Sequence, residues 1–175
     1  MKEKLDLSIG GIRVVDKITN KSTGKIETID RGHNLIVNDV LILIMRLLKG
    51  ELTGLQYWAV GSGLDSWDDN PVSPLVTETK LTKEIGRKAI SSSDLVFVDP
   101  ITFEDSPTPT TCLKISSTFY EEECNGTWRE FGIFGGNATT VKDSGYMIDK
   151  KHHSVLEKTG EMVVERTIYI TISFS

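Results

Sequence analysis

The chain has 175 residues and carries 20 Lys and Arg against 25 Asp and Glu, a formal net charge of −5. That length suits one domain with a core of its own, and the acidic balance argues against non-specific binding to nucleic acid or to an anionic membrane. With 38% apolar and 26% charged residues, the composition excludes wholesale disorder.

At the start, Met1-Lys2-Glu3-Lys4-Leu5-Asp6 mixes charged and apolar residues and lacks the apolar stretch of a secretory signal. Synthesis and assembly in a cytoplasm are therefore expected. Residues 12–18 and 25–29 are short alternating runs joined by the polar, Gly-ended 19–24 segment, which predicts a β-hairpin. This hairpin, within residues 1–30, is read as an N-terminal appendage to a single domain spanning 1–175.

One helix follows. Asn38 is placed to cap its first turn with a side-chain oxygen, Asp39 complements the positive end of the dipole, and Gly50 closes the C-terminus. Between them run Val40, Leu41, Ile42, Leu43, Ile44, Met45, Leu47 and Leu48, apolar around nearly the whole circumference. Such a helix is buried on several sides, inside the fold or against a neighbouring subunit. Residues 35–48 are too short and too interrupted to cross a bilayer, so no membrane insertion is expected.

Residues 55–60 predict a strand ending in Gly61-Ser62-Gly63, and 64–74 predict a surface loop. The Leu75, Leu81, Ile85 and Ala89 spacing leans helical. Residues 95–98 predict a short strand and 100–109 a Pro-rich loop. Leu113, Ile115 and Phe119 share a strand face, and Asn125-Gly126 predicts a tight hairpin that would set Glu122 opposite Arg129. In the last strand Met162, Val164, Ile168, Ile170, Ile172 and Phe174 point one way, with Arg166 the only intruder on that apolar face. These elements predict a mainly β chain: an antiparallel β-sandwich with one buried apolar helix at about residues 39–49.

Chemistry is sparse. The glycines at 61 and 63 match no phosphate-loop spacing. His152 and His153 would point to opposite sides of a strand, belong to no metal-ligand pattern, and read as exposed titrating groups, as does His33. Asp65, Asp68 and Asp69 lack the spacing of a calcium loop. Glu121, Glu122, Glu123 and Glu130 could pair for glycoside hydrolysis, but beside a turn they read as solvated. Cys112 and Cys124, set apart on an extended segment, read as idle thiols. No catalytic, metal or cofactor site is expected. Trp58 and Trp128 read as core. Trp67, in a polar loop, has the least packing reason to be there, so Trp67, Asp68, Asp69 and Tyr57 are the candidate contacts for a partner or glycan.

Four blocks carry a resemblance: Gly32-His33-Asn34-Leu35-Ile36-Val37-Asn38 before the apolar helix, LQYWAVGSG at 55–63, TETKLTKEIGRKA at 77–89, and WREFGIFGG at 128–136. In this order, and with the closing strand, they resemble structural proteins of tailed phages and prophages of the tail-fibre, baseplate or collar type. The resemblance covers roughly 32–89 and 126–174. It departs from that pattern in the long acidic Trp67 loop and in Lys150-Lys151-His152-His153, where a more apolar strand would fit. It implies a non-enzymatic structural or adaptor role in a virion, as a homo-oligomer (trimer or higher) contacting other virion proteins. A symmetry-axis metal on His152 or His153 is the one metal site it leaves open. Leu43 and Leu47 on the helix are the candidate oligomer interface. A carbohydrate- or receptor-binding module for a host-surface glycan is the alternative.

Overall fold

A computed structural model describes residues 7–174. The segment 1–6, discussed above for signal character, lies outside the described residues. Ten strands and one helix run in the order β1 (Leu7–Asn20), β2 (Ile26–Gly32), β3 (Leu35–Ile36), α1 (Asp39–Leu48), β4 (Thr53–Gly61), β5 (Glu84–Ala89), β6 (Leu95–Val98), β7 (Cys112–Phe119), β8 (Gly126–Gly136), β9 (Tyr146–Lys158) and β10 (Met162–Phe174). They form two antiparallel five-stranded sheets, ordered β2-β1-β10-β7-β6 and β3-β9-β8-β4-β5. The chain is a β-sandwich with one helix.

Period-two patterning builds the core. From β10, Val164 and Ile168 point inward with Arg166 between them, and from β1 come Val14, Asp16 and Ile18. They meet Trp58, Val60, Trp128, Phe131 and Ile133 of the second sheet, all fully buried. Trp58 lies 5.6 Å from Phe131, and Trp128 packs edge-on to Phe119 at 4.9 Å. A smaller cluster, Ala59, Leu81, Phe134, Ala138 and Met147, lies apart from this core. Residues 77–83 and 137–145 pack over it on the outer side of the second sheet, where the Arg87 guanidinium stands 4.3 Å over Phe134.

Several expectations are corrected. The 1–30 hairpin exists but is no appendage: β1 pairs with β10 along nearly its whole length. Residues 75–89 are not helical; turns lead into β5, whose Gly86 accommodates Cys124 against its backbone. Asn125-Gly126 does not close a hairpin either. β7 belongs to the first sheet and β8 to the second, so residues 120–125 carry the chain between layers. That crossing is held by the buried Lys158, whose Nζ donates to the Tyr120 carbonyl at 2.7 Å and to Asn125 Oδ1 at 2.9 Å. With the strands in different sheets, Glu122 does not face Arg129.

The helix spans Asp39–Leu48 as expected, but Asn38 is itself helical (φ −59°, ψ −27°) and its side chain caps nothing. The Asn38 amide instead donates to the Val76 carbonyl at 2.8 Å. Gly50 adopts φ +74°, the left-handed turn that ends a helix.

Candidate functional site

Within the single chain, α1 buries only Val40 and Leu43, against β9, β4 and β8. Leu41, Ile42, Met45, Leu47 and Leu48 remain exposed, Leu48 at 78% and Met45 at 66%. Leu43, at 2% exposure, is a core residue and not an interface residue; Leu47 stays on the open face. Between α1 and the first sheet lies an apolar cleft of about 290 Å³, walled by Ile44 and Leu47 of the helix with Phe97, Leu113, Ile170 and Ile172 opposite. Leu41, Ile42, Met45 and Leu48 were hidden in a run that is apolar all round; only packing separates the two faces.

The Trp67 loop is built differently from its expectation. Trp67 is buried, its ring stacked on the His152 imidazole at 3.8 Å and 17°. Gly63 (φ +53°) makes room for it: a Cβ there would strike the indole. Asp68 binds the Arg129 guanidinium through both carboxylate oxygens, and Asp65 adds a third contact at 3.0 Å. Only Asp69 of the candidate trio is exposed without such a partner. Tyr57, half-buried, lies beside the smaller cluster under Arg87, 6.0 Å from its ring, whereas Trp67 is taken up by its stack on His152. A sugar-stacking platform of Trp67 and Tyr57 is therefore not assembled.

The charged strand β9 is buried, which also overturns the reading of exposed histidines. His152 and His153 do point to opposite sides. His152 faces outward beneath the Trp67 loop, with Nδ1 2.8 Å from the Val72 carbonyl and Nε2 3.9 Å from Glu130. Burial lowers its pKa despite that carbonyl. Glu130 is also buried rather than solvated: it accepts the Thr82 and Lys83 amides at 2.9 and 2.8 Å and faces Lys150 at 3.3 Å. Lys150 reaches Glu78 as well, so this cluster ties residues 78–83 to the sheet. Glu84 and Arg87 do the same for the 137–145 segment. Arg87 donates to the Thr139 and Ser144 carbonyls at 3.0 Å, and Glu84 accepts the Asp143 amide at 3.0 Å.

His153 points inward, to Asp16, Arg166 and Arg31. Asp16 and Arg166 are directly opposed in register and form a two-point ion pair; Arg31 adds a bond to Asp16 at 2.9 Å. Burial opposes ionisation of Asp16, but the Arg166 and Arg31 guanidiniums outweigh it and hold its pKa at about 2. Burial, reinforced by the same two arginines, drives the His153 pKa well below the ordinary histidine value. Asp149, also fully buried, meets Asn34, and burial pushes its carboxyl well above the usual range.

Among the described residues, no three His, Cys, Asp or Glu side chains gather to hold a metal ion, and no helix is long and apolar enough to cross a membrane. Cys112 and Cys124 are both unpaired. Comparison with protein-family models and with curated protein sequences returns no match.

Proposed function

We propose that this protein is a non-enzymatic structural or adaptor component of a tailed-phage virion, working as a symmetric homo-oligomer through the open face of α1. The observation that carries the assembly is the helix itself. A ten-residue helix leaves Leu41, Ile42, Met45, Leu47 and Leu48 in solvent beside an apolar cleft. Contiguous exposed apolar surface of this kind marks association sites. Covering these side chains would contribute about 1.5–3 kcal/mol for each one fully buried. The virion setting, with other virion proteins as neighbours and assembly in the host cytoplasm, rests on the ordered blocks at 32–38, 55–63, 77–89 and 128–136. The non-enzymatic reading draws on the buried carboxylates of Asp16, Glu84 and Glu130, each saturated by donors. The glycan-binding alternative loses its principal residue, since Trp67 packs on His152.

Native mass by light scattering coupled to size exclusion tests the assembly. A trimer or larger ring is expected, reduced to monomer in a Met45→Glu/Leu48→Glu double variant that keeps its β-sheet circular dichroism. A monomeric parent protein at tens of micromolar would overturn the homo-oligomer.

A further inference from the structure

Between the sheets two guanidiniums crowd around one carboxylate. Arg31 and Arg166 share the single carboxylate of Asp16, and all three side chains are at most 5% exposed. His153 supplies no negative charge to balance them. Its Nδ1 lies 2.7 Å from the Ser154 carbonyl and must donate, leaving Nε2 to accept from Arg166 Nη2 at 3.4 Å. Arg31 Nη2 and Arg166 Nη1 are buried without any acceptor. Buried guanidinium nitrogens in that state are costly, and buried charge is ordinarily balanced.

This group borders a cleft of about 420 Å³ that opens between the 29–35 segment, residues 151–154 of β9 and the 71–74 loop. Arg31, His33, Lys151 and His153 are among its lining residues. The one acid that lines it, Asp30, is already engaged by Arg13 at 3.0 Å and by the Gly32 amide at 2.8 Å. Lys151 is half-buried there, its ammonium donating to the His33 carbonyl, and the fully buried Asp149 nearby has its carboxyl pushed well above the usual range by burial. The volume exceeds what a bare ion needs and falls in the range of small-molecule sites.

We propose that this cleft binds a small oxyanion, a phosphate or carboxylate group, held against Arg31 and Lys151 so that it completes the charge balance of the Arg31–Asp16–Arg166 group. Arg31 brings its one unpartnered nitrogen, Nη2, since Asp16 holds Nε at 2.9 Å and the Ser154 carbonyl and hydroxyl hold Nη1 at 3.2 Å, and Lys151 adds a point charge at the rim.

The test titrates inorganic phosphate at constant ionic strength, balanced with chloride. It reads the His153 imidazole by nitrogen NMR alongside the thermal midpoint. His153 faces Arg166, Arg31 and Asp16, so an anion joining them raises its depressed pKa. Saturable movement of the His153 signals is expected, with a midpoint rise of about 3–6 °C at ten times the dissociation constant. Lys151→Gln should weaken phosphate roughly tenfold, the loss of one charge-assisted bond, while leaving the circular dichroism unchanged. Acetate in place of phosphate separates the two sources: stronger binding of one identifies the group. His153 signals that do not move, or a non-saturating response shared by Lys151→Gln, would overturn the site. Should Lys151→Gln not fold, the His153 titration of the parent protein decides alone.

Discussion

The helix α1 and the strand β9 pack against each other, and each reverses what its composition suggests. Of ten residues in α1 eight are apolar, yet Leu41, Ile42, Met45, Leu47 and Leu48 face solvent. In β9 the run Asp149, Lys150, Lys151, His152, His153 is charged or polar, yet four of the five are buried. Apolarity decides burial only when the fold has room to cover it. A charge is buried when another strand supplies its partner, as Glu130 does for Lys150 and the Arg166–Asp16 pair does for the space around His153. The helix thus keeps an apolar face that the chain itself does not cover, and the strand is a charged seam stitched from both sides.

Breaking the seam should have the largest effect. Asp16→Ala leaves Arg31 and Arg166 facing each other without a carboxylate, an uncompensated buried charge that costs about 3–5 kcal/mol. Urea denaturation should show the loss as a lower midpoint. A loss below 1 kcal/mol would mean that the interior is wet enough to solvate both guanidiniums.

The helix sharpens the contrast from the other side. Leu43→Ala removes a core side chain and should cost about 2–5 kcal/mol in the same measurement, whereas Leu48→Ala on the open face should stay within about 0.5 kcal/mol. Those values apply to the isolated chain. A large Leu48 effect that grows with protein concentration would place that residue in the assembled interface.

The sandwich was legible because period-two alternation is a local signal: β10 and β1 declare their inward faces residue by residue. The buried pair was half legible too. Arg166 interrupts the apolar face of the last strand, and Asp16 sits between Val14 and Ile18 on the first; two lone opposite charges on inward positions of two strands are a cross-strand pair once the strands are neighbours. Neighbourhood is what the pattern lacks. Nothing local announces that β7 and β8 join different sheets, so Asn125-Gly126 and the Glu122–Arg129 pair were misplaced. Trp67 failed for a related reason. A tryptophan in a polar loop reads as exposed unless one knows that the loop folds back over β9, where His152 waits for it. The 290 Å³ cleft under α1 and the cleft beside Arg31 draw on segments from distant parts of the chain, Ile9, Ile44 and Ile170 in the first and Arg31, Val72 and Lys151 in the second, and have no sequence signature.

The finest difference is in proton uptake, and it tests the inward side of the seam alone. In the fold His153 stays neutral well below its ordinary pKa, because burial and then the Arg166 and Arg31 charges oppose imidazolium. In the unfolded chain the same histidine titrates near 6.5. Below that pH the unfolded state therefore binds the extra proton, and stability falls as pH falls, by up to about 1.4 kcal/mol per pH unit until the folded pKa is reached. Asp16 does not confuse this window. Its folded pKa of about 2 lies below the unfolded value, so its contribution is complete above roughly pH 4 and is lost only as pH drops towards 2. His152, lowered in the same direction, adds to the slope of the parent protein, so the readout is the difference from a variant. His153→Gln keeps an acceptor for Arg166 and removes the titration. Its stability between pH 6.5 and 5, followed by urea denaturation, should fall less steeply than that of the parent by about 1 kcal/mol per pH unit. Parallel curves would mean that His153 takes up its proton over the same pH range in the fold as in the unfolded chain, so that burial and the two arginines do not hold it neutral.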